Sequence, residues 1–255
     1  MLMAKHLQQP ITIYYQGLKM KEYEKHTQDL YNNIDKIWPI NNAWYDYTHK
    51  IIISFILEYK KLLSSDSKIL NAGSGGSEYD IPGEFYHVDL SGKHINRFTH
   101  HYISSVEKMP FENNVFDFTI CVGSVINYCN ALTALSEIDR VTKTNSYLIL
   151  EYERSLTGEL LWNKSHGKST TLQIYNFNGQ ENHKLWLYSD KYINHILQEL
   201  QYKIIDDQLF HSLSSVYNGL FDNELKAGKI AKYDKYLPRL IKYNIAHNRI
   251  LICHK

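Results

Sequence analysis

The run Lys68-Ile69-Leu70-Asn71-Ala72-Gly73-Ser74-Gly75-Gly76-Ser77 sets an apolar, strand-like segment directly before a glycine-dense turn. Glycine reaches positive φ and admits a ligand close to the backbone, so such a turn at the carboxyl end of a strand makes a cradle for a nucleotide. A dinucleotide fingerprint would need a third glycine at position 78; Glu78 stands there, which counts against NAD or FAD. The next strand-like run, Phe85-Tyr86-His87-Val88-Asp89, closes on an acid 18 residues after Asn71. A carboxylate at that place accepts hydrogen bonds from both hydroxyls of a ribose, and Leu90 directly after it belongs to the same expected site.

Groups that could move a proton are fewer. Glu151 and Glu153 follow a later strand-like run, and His166 and His211 lie in the variable region beyond it. Glu151, His166 and His211 are the expected catalytic candidates, since a carboxylate or imidazole near the strand ends can take a proton from a bound group. A histidine at such a place also serves as a hydrogen-bonded structural residue. The pair His100-His101 has no Cys, Asp or Glu partner at ligand spacing, so no metal site is expected. Tyr14 and Tyr15, just before the first helix, are candidates for a lid whose aromatic faces attract a cation.

The elements that position these residues follow from patterning. Between Trp44 and Leu63, apolar residues at Tyr47, Ile51, Ile52, Phe55, Ile56, Tyr59 and Leu62 recur at three- and four-residue steps, which predicts an amphipathic helix. An earlier helix is expected within 19–37, with the Pro39 region between the two. Strands are expected at Lys68–Asn71, Glu84–Asp89, Phe116–Val122, Ser146–Glu151, Lys203–Phe210 and His247–His254, and helices near 131–143 and over Asp190–Leu200. Strands alternating with helices imply a largely parallel sheet covered on both faces. Residues 211–244 are too long and too periodic for a simple loop and read as an inserted helical pair bordering the site.

With 255 residues the default is one α/β domain with added helices, divided here into an N-terminal helical region, 1–63, and a ligand-binding domain, 64–255. The 28 basic and 27 acidic side chains leave a formal charge of +1, so no broad cationic field gathers phosphates and no nucleic-acid partner is expected. Three cysteines without a CxxC pair, Cys121, Cys129 and Cys253, read as reduced, buried thiols of a cytoplasmic protein. No stretch approaches a bilayer span and the first residues lack a cleavable apolar leader, so no membrane partner is expected. The 21 tyrosines are either a compositional bias or the makings of an aromatic pocket.

From Lys68 to about Glu151 the chain resembles the class I S-adenosylmethionine (SAM)-dependent methyltransferases, particularly the group that includes quinone and small-molecule methyltransferases. The family's acid-x-G-x-G-x-G loop is matched by Asn71-Ala72-Gly73-Ser74-Gly75-Gly76-Ser77, with Asn71 in place of the acid and Ser77 in place of the last glycine. Asp89 matches the acid that closes the second strand. Ser105-Val106-Glu107-Lys108-Met109-Pro110-Phe111 followed by Phe116-Asp117 matches the family's P-F run before F-D, with Ser105 where an Asp often faces the adenine amino group. Leu135-Ser136-Glu137-Ile138-Asp139-Arg140-Val141 is similar to its L-x-E-I-x-R-V helix, and Thr144-Asn145-Ser146 replaces the usual P-G-G turn.

The resemblance implies a Rossmann-like, doubly wound, mostly parallel seven-stranded sheet, with N-terminal helices and a helical insertion before the last strand. It also implies SAM as cofactor, held by Asn71, Gly73, Ser74, Gly75, Asp89, Leu90, Ser105, Val106 and Glu107. Val122, Gly123 and Tyr128 at the end of the fourth strand-like run complete the lining, with Tyr14 and Tyr15 above. The expected reaction moves a methyl group to an O, N or C atom of a small molecule; Trp162, Tyr175, Trp186, Tyr188 and Tyr217 favour an aromatic or apolar acceptor. Methylation of a protein or RNA, and a SAM-binding protein without catalysis, are the alternatives; the losses at Asn71, Ser77 and Ser105 suggest the last. The oligomeric state stays open.

Overall fold

The structure, a computed structural model, describes residues 18–39, 41–177 and 180–255. Helices α1 (Leu18–Asn33) and α2 (Ala43–Glu58) precede strands β1 (Lys68–Ala72) and β2 (Glu84–Asp89). A short helix α3 (Gly92–Ile95) leads to β3 (His101–Ile103) and β4 (Phe116–Cys121), and α4 (Ala131–Val141) runs into the long β5 (Thr142–Glu153). An antiparallel hairpin, β6 (Thr170–Phe177) and β7 (Gln180–Tyr188), stands apart from the main sheet. Then follow α5 (Asp190–Glu199), β8 (Lys203–Phe210), the helices α6 (Ser212–Phe221), α7 (Glu224–Ile230) and α8 (Arg239–Ile245), and β9 (Asn248–His254).

The main sheet has seven strands in the order β3-β2-β1-β4-β5-β9-β8. β9 pairs antiparallel with both β5 and β8, while the ladders from β3 to β5 are parallel, so β9 alone is reversed. Strand order reverses between β1 and β4, and it is outside the carboxyl ends of strands at such a point that open α/β sheets take ligands.

Side chains alternate across a strand with period two, and both faces of this sheet are covered. Leu70, Cys121, Leu148, Leu150 and Leu251 pack toward α4 and α5, whereas Ile69, Phe118, Ile120, Ile149, Ile250 and Ile252 pack toward Ile52, Phe55 and Ile56 of α2. α4 buries Ala131, Ala134, Leu135, Ile138 and Val141, one helical stripe, and is capped by Asn130, whose side chain accepts the Thr133 N–H at 3.1 Å.

Three features depart from the sequence reading. Residues 211–244 fold as three α-helices with a 3-10 turn (Ala231–Tyr236) rather than as a helical pair. The hairpin at 170–188 was not expected, because Gln, Asn and Lys interrupt its alternation. β5 begins at Thr142 rather than Ser146, since Asn145 takes φ +60° within the strand and lets pairing with β4 resume at Tyr147 after a register shift. No helix joins β1 to β2, as the short spacer requires.

Candidate functional site

The glycine turn after β1 is tied to the end of β2. The backbone N–H groups of Gly73 and Ser74 both donate to the Val88 carbonyl, at 2.8 and 2.9 Å. The Gly75 N–H donates to one carboxylate oxygen of Asp89 at 2.7 Å, and the Ser91 N–H to the other at 2.8 Å. Gly73, Gly75 and Gly76 all have positive φ. Gly73 is the most constrained: a Cβ there would lie 2.3 Å from a methyl of Val125. Burial raises the pKa of Asp89, and the N–H groups of Ser91, Gly75 and Leu90 act against that rise.

Asn71 shapes this turn from below. Its amide donates to the Ser77 carbonyl at 3.0 Å and to the Ser74 hydroxyl at 3.3 Å, and it is not part of the cavity wall. The Ser74 hydroxyl in turn bonds Nδ1 of His87 at 2.7 Å. Burial, with Arg97 and His101 adding, lowers the His87 pKa to about 4, so this imidazole stays neutral in the Ser74 contact.

Above the turn opens a cavity of about 1190 Å³. One end is lined by Gly73, Ser74, Gly75, Asp89 and Leu90, by Ser105, Val106 and Glu107, and by Val122, Gly123 and Tyr128. The structure thus brings together in one wall every sequence-predicted cofactor residue it describes, except Asn71. Tyr14 and Tyr15 lie outside the described residues. The segment 34–39 roofs this end: Trp38 donates from Nε1 to the Ser77 hydroxyl at 3.4 Å, and a Cβ on Gly75 would meet Ile37 at 3.3 Å.

The lining continues through Tyr31, whose ring meets that of Tyr128 at 5.5 Å, to Tyr45, Glu153, Glu159, Glu224 and His247 at the other end. His247 Nε2 lies 3.2 Å from Glu153, and its Nδ1 lies 3.7 Å from Glu159 and 3.2 Å from the Thr157 hydroxyl. Burial opposes charge on His247, but Glu159 and Glu153 outweigh it and raise its pKa to about 9. The Ser124 hydroxyl donates to Glu153 at 3.0 Å. Glu224 accepts from the Asn42 amide at 2.8 Å, and burial, with Glu159 and Glu153 nearby, raises its pKa. Burial and the same carboxylates drive the Tyr45 phenol strongly upward, which keeps it a donor.

The catalytic candidates read from the sequence fall elsewhere. Glu151 is fully buried beneath the cavity floor, its carboxylate engaged by the N–H groups of Gly123 and Ser124 and by the Asn248 amide. Burial raises its pKa to about 7 against those hydrogen bonds. His211 is also fully buried, stacked on Trp44 at 3.9 Å, with one ring nitrogen on the Thr48 hydroxyl and the other on the Ser214 hydroxyl, both at 2.8 Å. Both its nitrogens are spent on structure, and burial lowers its pKa well below the usual range. His166 lies in the turns after β5, outside the cavity wall.

Tyr31, Tyr45, Glu159, Glu224 and His247 were not read from the sequence. A signal existed for His247 alone: if the last strand runs back beside β5, the residue before it meets the end of the strand that carries Glu153. Among the described residues, no group of three or more His, Cys, Asp or Glu is arranged to hold a metal ion.

The sequence model of a family described as a methyltransferase domain matches residues 71–150. No curated protein matches the chain. Among solved structures, similarity in fold extends to a geranyl diphosphate C-methyltransferase from Streptomyces coelicolor A3(2), solved with Mg²⁺, geranyl diphosphate and S-adenosylhomocysteine. Identity is 8%, TM-score 0.58, and the match covers 91% of this chain and 97% of that one. A second is a Burkholderia thailandensis 1,6-didemethyltoxoflavin-N1-methyltransferase with bound 1,6-didemethyltoxoflavin and S-adenosylhomocysteine, at 12% identity and TM-score 0.54, covering 93% and 89%. The cyclase SpnF is a third, at 16% identity and TM-score 0.55, covering 93% and 94%. At these identities the likenesses show the fold alone, and the sequence match to a methyltransferase domain covers residues 71–150, under a third of the chain.

Proposed function

We propose that this chain binds SAM along Gly73–Gly75, Asp89 and Ser105–Val106 and transfers its methyl group to an O, N or C atom of a small molecule held at the other end of the same cavity. The observation that carries this reading is the continuity of that cavity. At about 1190 Å³ it exceeds the roughly 300–1,000 Å³ of a site for one drug-sized ligand, and its two ends differ in chemistry. The cofactor end fits its occupant: positive-φ glycines leave the backbone approachable, and Asp89, a carboxylate with about four lone-pair sites, keeps capacity beyond its backbone bonds for the hydroxyls of a ribose.

When bound, SAM supplies a methyl on a sulfonium, a leaving group that needs no further activation. The residues of the chain then have mainly to align acceptor and methyl, an effect of roughly 7–11 kcal/mol at its best. Trp38 and Ile37 over the turn exclude water. Glu153 is placed to accept a proton from a hydroxyl acceptor, and His247, charged at neutral pH, holds that carboxylate in place. The geranyl diphosphate C-methyltransferase and the 1,6-didemethyltoxoflavin-N1-methyltransferase of like fold are bound to small molecules, which supports the same acceptor class here.

Calorimetry with SAM, S-adenosylhomocysteine and NAD, followed by incubation of methyl-labelled SAM with metabolite extracts, tests the proposal. Binding of NAD without SAM would overturn it. Tight SAM binding with no labelled product would favour the non-catalytic alternative.

A further inference from the structure

Eight of the fourteen large apolar residues left exposed among the described residues lie between Leu220 and Tyr243, on α6, α7, the 3-10 turn and α8. Phe221, Tyr236 and Leu240 are 63%, 72% and 76% exposed. Trp162, 69% exposed, follows the short turn Gly158–Leu160 that packs on α6. Apolar side chains scattered singly on a surface need no explanation, but a concentration of this kind marks a surface that docks on something.

Charge says what that something is. Residues 220–245 hold six Lys and Arg against three Asp and Glu, in a chain whose formal charge is +1. Two of the three acids are directed inward: Asp234 is buried and accepts the N–H groups of Ser212 and Leu213, at 2.6 and 2.9 Å, and Glu224 faces Asn42 and the cavity. Lys226, Lys229, Lys232 and Lys235 are exposed, as is Arg239, whose guanidinium is already paired with Asp207. The Lys232 and Lys235 ammonium groups sit over the rings of Tyr233 and Tyr236, at 5.2 and 5.0 Å, so each pairs a cation with an aromatic face. Exposed Leu and Phe, aromatic rings and interleaved lysines together suit the headgroup region of an anionic bilayer, where the apolar side chains enter the acyl boundary and the cations meet phosphate.

We propose that the 220–245 surface docks this protein peripherally on an anionic lipid bilayer. This departs from the sequence expectation of no membrane partner; no described helix is long and apolar enough to cross a bilayer, and docking needs none. The same segment borders the cavity, since Asp222, Glu224 and Leu225 are in its wall and Leu225 is itself exposed. Docking therefore brings a cavity edge toward the lipid. The proposal stands independently of methyl transfer.

Sedimentation with phosphatidylcholine vesicles, with and without phosphatidylserine, tests it on the full chain. The expected result is partition onto the phosphatidylserine-containing vesicles alone, weakened at high salt. Lys232→Glu/Lys235→Glu and Phe221→Ser/Leu240→Ser should each lower it at least tenfold. These positions are exposed, so thermal melts and SAM affinity should match the parent, which separates loss of docking from loss of fold or cofactor. Failure to bind either vesicle, equal binding to both, or a concentration-dependent dimer abolished by Phe221→Ser/Leu240→Ser would overturn the proposal.

Discussion

One carboxylate oxygen of Glu151 accepts the backbone N–H of Ser124 at 2.7 Å, and the same oxygen takes the N–H of Gly123 at 2.9 Å. Ser124 holds φ +60° there, an unfavourable conformation for a residue with a Cβ, so the turn after β4 depends on this clamp. Glu151→Ala strands both donors and should cost about 2–4 kcal/mol by denaturant titration, whereas Glu151→Gln keeps an acceptor and should cost about 1 kcal/mol. Equal losses for the two would show that the carbonyl is not what the turn requires.

Stability should fall as pH rises. Glu151 titrates near 7 in the folded chain against an ordinary 4.5, and His247 near 9 against 6.5. Both folded values lie above the unfolded ones, so the folded state binds these protons more tightly. Each contribution is complete below the unfolded value and is lost as pH climbs through the folded one. Denaturant midpoints measured from pH 5 to 10 should decline in two stages, the lower one absent in Glu151→Gln and the upper one absent in His247→Gln.

At Asp89, removal of the carboxylate should be felt first by the cofactor. Asp89→Ala is expected to weaken SAM at least tenfold by calorimetry, taking roughly 1.5–3 kcal/mol for a charged hydrogen bond. It also frees the Gly75 and Ser91 N–H groups, so a modest drop in thermal stability should accompany the loss. Unaltered affinity would remove the ribose assignment.

Gly73→Ala introduces two separable penalties. Its Cβ would lie 2.3 Å from Val125, and φ +69° disfavours any L side chain. Pairing it with Val125→Ala removes the methyls at 2.3 and 2.5 Å but keeps the Val125 Cβ at 2.9 Å, so it should relieve most of the clash and leave a small shift beside about 1 kcal/mol of backbone cost. Cofactor affinity should recover in the double variant if the turn returns to its shape; calorimetry on both variants reads this directly.

Much of this was legible in the sequence where the determinants are local. The short apolar or β-branched runs Glu84–Asp89 and Lys203–Phe210, each bounded by turn residues, define β2 and β8 to their observed ends. The glycine turn and Asp89 are near enough in sequence for their meeting to follow from two adjacent parallel strands. What escaped is set by distance. Glu151 and Glu153 lie two residues apart on one strand face, and only depth in the fold, fixed by the Gly123–Ser124 turn and the neighbouring β9, separates a floor clamp from a cavity carboxylate. His211 looked free to act because the partners that consume its nitrogens, Thr48 and Ser214, include one 163 residues away. Glu224 and His247 reach the cavity only through the packing of α7 and β9 around α2 and β5.

Arg154, directly after β5, is wholly buried, with its guanidinium on Asp190 at 2.6 Å and on the carbonyls of Tyr243 and Ala246 at 2.7 and 2.6 Å. Those carbonyls end α8, so the outermost helix is riveted to the strand whose last residue, Glu153, is in the cavity wall. One buried guanidinium thus joins the helix that carries Leu240 to the strand that ends at the cavity, so severing it would loosen both at once.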